Sequence, residues 1–267
     1  MTIAAAYLTS EGVVLGADST TTVNIPGGVG QLLNYAQKLF EVGDNSRFAT
    51  CTWGAGQIGN VSHRTLAARL GGKIDFKKTT VAEAVQIFRD IVLQEYGDGS
   101  TTGEVGYCLG GWNIGDQLPE CHTIFFKPEE APVLASLKIG DAHFFGCPEF
   151  FSRVFYGYDP KLRDLLLNKL KSALASEKSR EDFEKAFPKA FQEAVLPLAA
   201  IGFQDLPIRE AIDFVHTYLH ITIKAYKFRF GVPVCGGPIE IGFISTDRPF
   251  RWVCHKSFER AIYDQDF

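Results

Sequence analysis

The chain opens on almost uninterrupted apolar sequence. Residues 3–8 and 13–17 are two apolar runs joined by Thr9-Ser10-Glu11-Gly12, a pattern that predicts a hairpin. The Gly/Pro stretch at 24–30, NIPGGVG, predicts a loop, and residues 38–42 and 48–53 predict two further strands around a Gly43-Asp44-Asn45-Ser46 turn. Four antiparallel strands are therefore expected before any helix. The pattern then changes period. Asn60 is positioned to cap a helix carrying Leu66 and Leu70, and Thr80 with Glu83 has capping-box spacing ahead of Val81, Ala84, Ile87, Phe88, Ile91 and Val92.

A Gly-rich hinge at 97–103 leads into strand-like runs at 105–112, 122–126 and 133–139. Pro148 is placed to open a helical turn, and Leu162, Leu165, Leu166 and Leu170 continue in helical period. Phe183, Phe187 and Phe191 share one face of a helix interrupted by Pro188, and 208–228 carries a long apolar stripe. Two last strands, 238–245 and 250–253, bracket a turn at Asp247. With no linker or repeat, the order predicts one α+β domain over 1–267, enlarged in a helical block around 148–228. The expected architecture is a four-layer αββα sandwich built on two antiparallel sheets.

Composition narrows the function. The 267 residues are 46% hydrophobic and 22% charged, with a net charge of -4 and no basic stripe, so nucleic acid is not expected as a partner. The six cysteines form no CxxC pair and are expected to be reduced thiols of a cytoplasmic protein. No apolar run is long enough to span a bilayer, and no cation precedes the first apolar stretch, so neither a membrane segment nor a signal peptide is expected.

The candidate chemistry lies at the open end of the first hairpin. Thr2 and Asp18 are equidistant from Ser10, so a turn about Ser10 brings them together, within one residue of register. Loss of Met1 would leave Thr2 with a free α-amine of pKa about 8, able to take the proton of its own hydroxyl. Lys38, the first cation in the chain, is available to favour the ionised oxygen, and Asp18 to hold Lys38.

These residues carry a resemblance. Thr2, GVVLGADS ending in Asp18-Ser19, and Lys38 opening KLFEV resemble the proteasome β-subunits and their bacterial relatives, which are N-terminal-nucleophile hydrolases. The sixteen-residue step from Thr2 to Asp18, with Gly12 six residues before the aspartate, matches that family's spacing. The TWGAGQIG segment resembles its Gly-rich turn, and Cys235-Gly236-Gly237 before PIEIGFIS resembles its Ser-Gly-Gly turn.

The resemblance implies a threonine endopeptidase, with Thr2 as nucleophile and base, Lys38 and Asp18 in support, and an N–H of Gly54 facing the oxyanion. It implies unfolded polypeptide or peptide substrates, a homo-oligomeric ring, room for an ATPase partner, and no metal or cofactor. Two departures stand out. Val232 occupies the position of an expected Asp, and Cys235 that of the Ser, which leaves Asp141 in KIGDAH as a candidate replacement for orienting the amine. The alternatives are a catalytically inactive structural ring subunit of the same fold, or an amidase of the same nucleophile class acting on small amides.

Rival motifs are weaker. GAGQIG matches GxGxxG, with Asp75 about twenty residues on, but bulky Trp53 precedes it and GGKID is too short and polar for a buried parallel strand. His216 and His220 have metal-ligand spacing but lack the glutamate of HExxH. Cys121-His122 and Cys254-His255 are adjacent strand residues that point to opposite faces.

Overall fold

The structure, a computed structural model, describes residues 2–25, 28–96, 103–115, 117–195, 204–231 and 233–256, with backbone alone at 23–25, 28–32 and 160. The hinge residues 97–102 and Val232 lie outside the described residues. The chain divides into two compact units, Met1–Cys147 with Gln204–Phe267, and Pro148–Phe203. The helical block expected at 148–228 is therefore split between the two.

The larger unit holds two five-stranded sheets in which every pairing is antiparallel. The first contains β1 (Ala4–Thr9), β2 (Gly12–Ala17), β10 (Ala142–Phe145), β11 (Glu240–Ser245) and β12 (Arg248–Cys254), in the order β10-β1-β2-β11-β12. The second runs β5-β6-β7-β8-β9, from β5 (Leu39–Glu41), β6 (Phe48–Gly54), β7 (Val105–Trp112), β8 (Pro119–Phe126) and β9 (Val133–Ser136). The sheets pack face to face. Helix α6 (Ile208–Lys227) covers the outer face of the first, and α1 (His63–Gly71) and α2 (Val81–Tyr96) cover the second. The fold is the α+β sandwich of four layers.

Coverage on both faces explains why β1 and β2 read as continuous apolar runs rather than alternating ones. Ala4, Ala6, Leu8, Val13, Leu15 and Ala17 join the core between the sheets, while Tyr7 packs edge-on against Phe214 of α6. The second core lies between the β5–β9 sheet and its helices, where Leu66, Leu70, Val81, Ala84, Phe88 and Val92 meet Tyr107, Leu109 and Phe126. Helix α2 opens with the expected capping box: Glu83 accepts from Thr80 N–H, and Thr80 Oγ1 accepts from Glu83 N–H.

Several boundaries differ from expectation, each for a local reason. The flanks of the expected 24–30 loop pair as a separate hairpin, β3 (Thr21–Ile25) with β4 (Gly28–Leu33), while residues 26 and 27 lie outside the described residues. Ser62, not Asn60, caps α1, accepting from Thr65 N–H, because residues 58 and 61 first close a small bridge. Strand β10 was not expected. It is only four residues long and follows directly on a Gly140-Asp141 turn, yet it pairs with β1 from Ala4 to Tyr7.

The smaller unit contains α3 (Glu149–Phe155), α4 (Pro160–Ala173) and α5 (Glu177–Val195). Asp159 caps α4 by accepting from Lys161 N–H, and α5 lines up Phe183, Phe187 and Phe191 with ring centroids 5.2 and 5.5 Å apart.

Two glycines let neighbours approach β2 closely, α6 at Gly16 and β11 at Gly12. A Cβ at Gly16 would sit 2.7 Å from Val215 Cγ1 and 2.8 Å from Leu219 Cδ1, and one at Gly12 would sit 2.1 Å from the Ile244 carbonyl oxygen. Gly16→Ala displaces only side-chain ends and is expected to cost about 1–3 kcal/mol, the range of core overpacking. Gly12→Ala must move the β11 backbone and is expected to cost more. Urea unfolding of both variants gives the order, and equal stability to the parent would contradict this packing.

Candidate functional site

The observed register of the first hairpin pairs Ala4 with Ala17 and Thr9 with Gly12. Asp18 therefore faces Ile3 rather than Thr2, a one-residue correction to a turn centred on Ser10. Asp18 N–H donates to the Ile3 carbonyl at 3.1 Å, and Ile3 N–H donates to Asp18 Oδ1 at 3.1 Å. This exchange fixes the carboxylate just beyond the end of β2 and holds the chain immediately after Thr2.

Asp18 is fully buried and collects donors from four places. Oδ1 accepts from Ile3 N–H and from Lys38 Nζ at 2.6 Å, and Oδ2 accepts from Thr20 N–H at 3.2 Å and Gly236 N–H at 2.9 Å. A buried carboxylate is tolerable only with its lone pairs satisfied in this way. Lys38 leads into β5 and is 4% exposed; its ammonium also donates to the Thr20 carbonyl. Burial pulls the Lys38 pKa below the ordinary lysine value, the Asp18 charge opposes that pull, and the Lys256 charge adds to it.

Thr2, also buried, shares a small cleft with Lys38, Gly54 and His63; Thr21, Thr52 and Trp53 also line it. One cleft thus collects a threonine, an ammonium held by a buried carboxylate, and a glycine turn. Gly54 ends β6 with φ +94°, and a Cβ there would lie 2.3 Å from the Glu104 carbonyl oxygen, so only glycine fits. This turn is not a helix N-terminus: α1 begins nine residues later, at His63. Any oxyanion donor here belongs to a strand-end turn.

Cys235 does reach the site. Gly236 N–H binds Asp18, and the Gly236 carbonyl accepts from Ser19 N–H at 3.0 Å. Burial first, and the Asp18 charge next, push the Cys235 thiol well above its ordinary range, so it stays protonated. Asp141 does not reach the site. Its carbonyl accepts from Leu8 N–H, and its carboxylate accepts from Lys138 N–H at 2.8 Å, which places it at the opposite end of β1 from Thr2. It stabilises its own turn because residues 138–141 close there before β10 begins.

His63 was not singled out from the sequence, since it falls on the buried face of an ordinary amphipathic helix. Its Nε2 lies 2.8 Å from the Ala55 carbonyl, which can only accept, so that nitrogen carries the proton and Nδ1 accepts from Tyr107 OH at 2.8 Å. The ring thereby ties down the turn next to Gly54. Burial holds the His63 pKa below the ordinary value; the Ala55 hydrogen bond opposes this, and Lys38 adds to it. The dinucleotide reading of GAGQIG fails on topology, because β6 is antiparallel to both neighbours and no βαβ unit exists there. His216 and His220 stack with centroids 5.9 Å apart, and among the described residues no cluster has metal-ligand geometry.

Among the described residues no helix is long and apolar enough to cross a membrane. No protein-family model matches the chain, and no curated protein matches it. Solved structures do. A mutant of Anbu from Hyphomicrobium sp. strain MC1 aligns with TM-score 0.53 and 13% identity over 99% of this chain and 94% of that one. Anbu from Yersinia bercovieri, described as an ancestral beta-subunit, aligns with TM-score 0.51 and 14% identity over 98% and 97%. Identity this low shows a shared fold and nothing finer. The expectation that the chain is a proteasome β-subunit hydrolase of the bacterial homologue type is thereby corrected: these solved structures show a likeness to Anbu at the level of fold alone.

Two outcomes are expected from this geometry. Asp18→Asn removes the counter-charge of a buried ammonium and should lower the unfolding free energy by about 3–5 kcal/mol, with part recovered in Asp18→Asn/Lys38→Met, as read by urea denaturation. The folded-state pKa of His63 lies below its unfolded value of about 6.5, so the unfolded chain binds that proton first as pH falls. The His63 contribution is complete above pH about 6.5 and is lost on acidification towards the folded-state pKa. His63→Gln, which keeps a donor for Ala55, should flatten the fall in stability between about pH 7 and 5. Some slope will remain from His143, which burial shifts in the same direction.

Proposed function

We propose that the protein is an N-terminal-nucleophile hydrolase that cleaves amide bonds of peptides or unfolded polypeptide, with Thr2 as the nucleophile once the residue before it is removed. The observation that supports this most is that Thr2 lines the same cleft as Lys38, whose ammonium is fixed by the buried Asp18. In the proposed cycle the free α-amine of Thr2 takes the hydroxyl proton, and Oγ attacks the scissile carbonyl carbon. The ammonium of Lys38 favours the anionic oxygen of the nucleophile. A backbone N–H of the Gly54 turn stabilises the tetrahedral oxyanion. Collapse breaks the C–N bond, the Thr2 ammonium returns its proton to the leaving amine, and an ester remains. Water, with the α-amine again as base, hydrolyses that ester and regenerates Thr2.

The proposal extends to assembly in a homo-oligomeric ring in the cytoplasm, with an ATPase able to deliver substrate. A non-catalytic subunit of the same fold is the second reading. What favours it is Cys235, a protonated thiol where the sequence resemblance calls for a serine hydroxyl near the amine. Small amides are the third substrate class.

Treatment of the full chain with a peptide vinyl sulfone, followed by intact-mass and peptide mapping, separates these readings. A single adduct on a terminal Thr2 is expected, lost in Thr2→Ala and retained in Thr2→Ser. Lys38→Met should slow labelling by about 100-fold, the scale of removing one preorganised electrostatic group. A chain whose Thr2 stays blocked and unlabelled is a scaffold. Competition by peptides but not by small amides selects the endopeptidase reading.

A further inference from the structure

A second buried lysine–carboxylate couple lies behind the first. Glu240 opens β11 opposite Ala17, and its side chain is fully buried. Lys256 Nζ is 3.0 Å from Glu240 Oε2, and His255 Nδ1 is 2.8 Å from Oε1. The His255 ring stacks on Trp252 with centroids 4.0 Å apart, which fixes its side of the cluster. A glutamate placed among the apolar residues of PIEIGFIS carries a large desolvation cost unless such partners are present.

The other contacts of Lys256 give the cluster a direction. Its ammonium donates to Ser19 Oγ at 2.9 Å and to the Ala36 carbonyl at 2.7 Å. Ser19 follows Asp18 in the chain, Ala36 lies two residues before Lys38, and Ala36 N–H donates to the Ser19 carbonyl at 2.9 Å. Ser19 Oγ in turn donates to the Pro238 carbonyl at 2.7 Å. One ammonium, supplied from just past β12, therefore joins the segment bearing Asp18 to the segment bearing Lys38.

We propose that Lys256, anchored by Glu240 and His255, is a positioning residue for the Thr2 cleft, fixing the Asp18–Lys38 couple from behind and adding its own charge to the field at Lys38. The first half of this role rests on the hydrolase reading; the second half does not. The charged and titratable groups around Lys38 among the described residues are Asp18, Cys235, Lys256 and His63, joined by the α-amine of Thr2 once the residue before it is removed, with Glu240, His255 and Arg64 beyond Lys256. The Lys256 charge lowers the Lys38 pKa, and by Coulomb's law the opposite charge of Glu240 behind it must act in the other direction. Removing the Lys256 charge makes the Lys38 ammonium easier to keep, and removing the Glu240 charge makes it harder.

The test uses the full chain with isotopically labelled lysine, following the Lys38 side-chain resonance through a pH titration, assigned with Lys38→Arg. Lys256→Met is expected to move the Lys38 titration to higher pH, Glu240→Gln to lower pH, and Lys256→Arg to restore the parent value. Thermal melting identifies variants that remain folded. If Lys256→Met does not fold, Lys256→Gln and the comparison of Glu240→Gln with the parent carry the test. Unmoved titrations, or shifts of the same sign in both charge-removing variants, overturn the electrostatic half of the proposal, because charges of opposite sign within reach of Lys38 must shift it in opposite directions. In parallel, peptide vinyl sulfone labelling of Thr2 should slow by about 10- to 100-fold in Lys256→Met at an unchanged half-saturating concentration, the scale of a misplaced reacting group. A parent protein that never labels defeats the hydrolase reading, while the opposed titration shifts still decide the electrostatic role of Lys256.

Discussion

One buried charge organises this molecule. An ammonium removed from water survives only if a carboxylate lies beside it, and that carboxylate survives only if its other lone pairs are filled. Asp18 meets the requirement with donors from Ile3, Thr20, Lys38 and Gly236, so the start of β1, the end of β2, the approach to β5 and the turn before β11 must all converge. The sandwich supplies that convergence: β1, β2 and β11 are neighbours in one sheet, and the core between the sheets holds Leu39 of the other against them.

The same close packing shapes the cleft. Trp53 stacks on Phe145 with centroids 3.8 Å apart, and Gly106 leaves room for its indole ring. Thr52 Oγ1 donates to the Gly106 carbonyl, and Thr52 N–H donates to the Lys38 carbonyl. The Thr52–Trp53 part of the cleft lining is thus held by neighbouring strands of one sheet rather than by a loop, which makes it rigid.

Much of this was legible from the residue pattern. Apolar runs, turn residues and a shift to helical period marked the first hairpin, α2, α6 and the two last strands, and the sequence pointed to the Lys38–Asp18 contact and to the cleft that Thr2 and Lys38 line. The exact register was not legible, because a hairpin turn can close about one residue or between two, and the side-chain pattern of β1, apolar on both faces, gives no penalty for either. The pairing of β10 was also hidden, since four residues carry too little periodicity to distinguish a strand from a connection. Asp141 looked available only because a sequence does not show which end of a strand a turn will occupy. His63, Glu240 and Lys256 gave no local signal: each acquires its meaning from contacts made across the fold, and Lys256 acts on Ser19 from 237 positions away.

The distribution of donors around Asp18 has a further consequence in time. Three of them lie within the first forty residues, but the fourth, the N–H of Gly236, comes 218 positions after the carboxylate. A ribosome releases the amino-terminal strands long before it makes that turn. Until residue 236 has emerged, the acid is short of a partner and the ammonium is less firmly anchored. Full anchoring of the couple therefore waits on residue 236, and a nascent copy stopped before it does not carry the finished constellation.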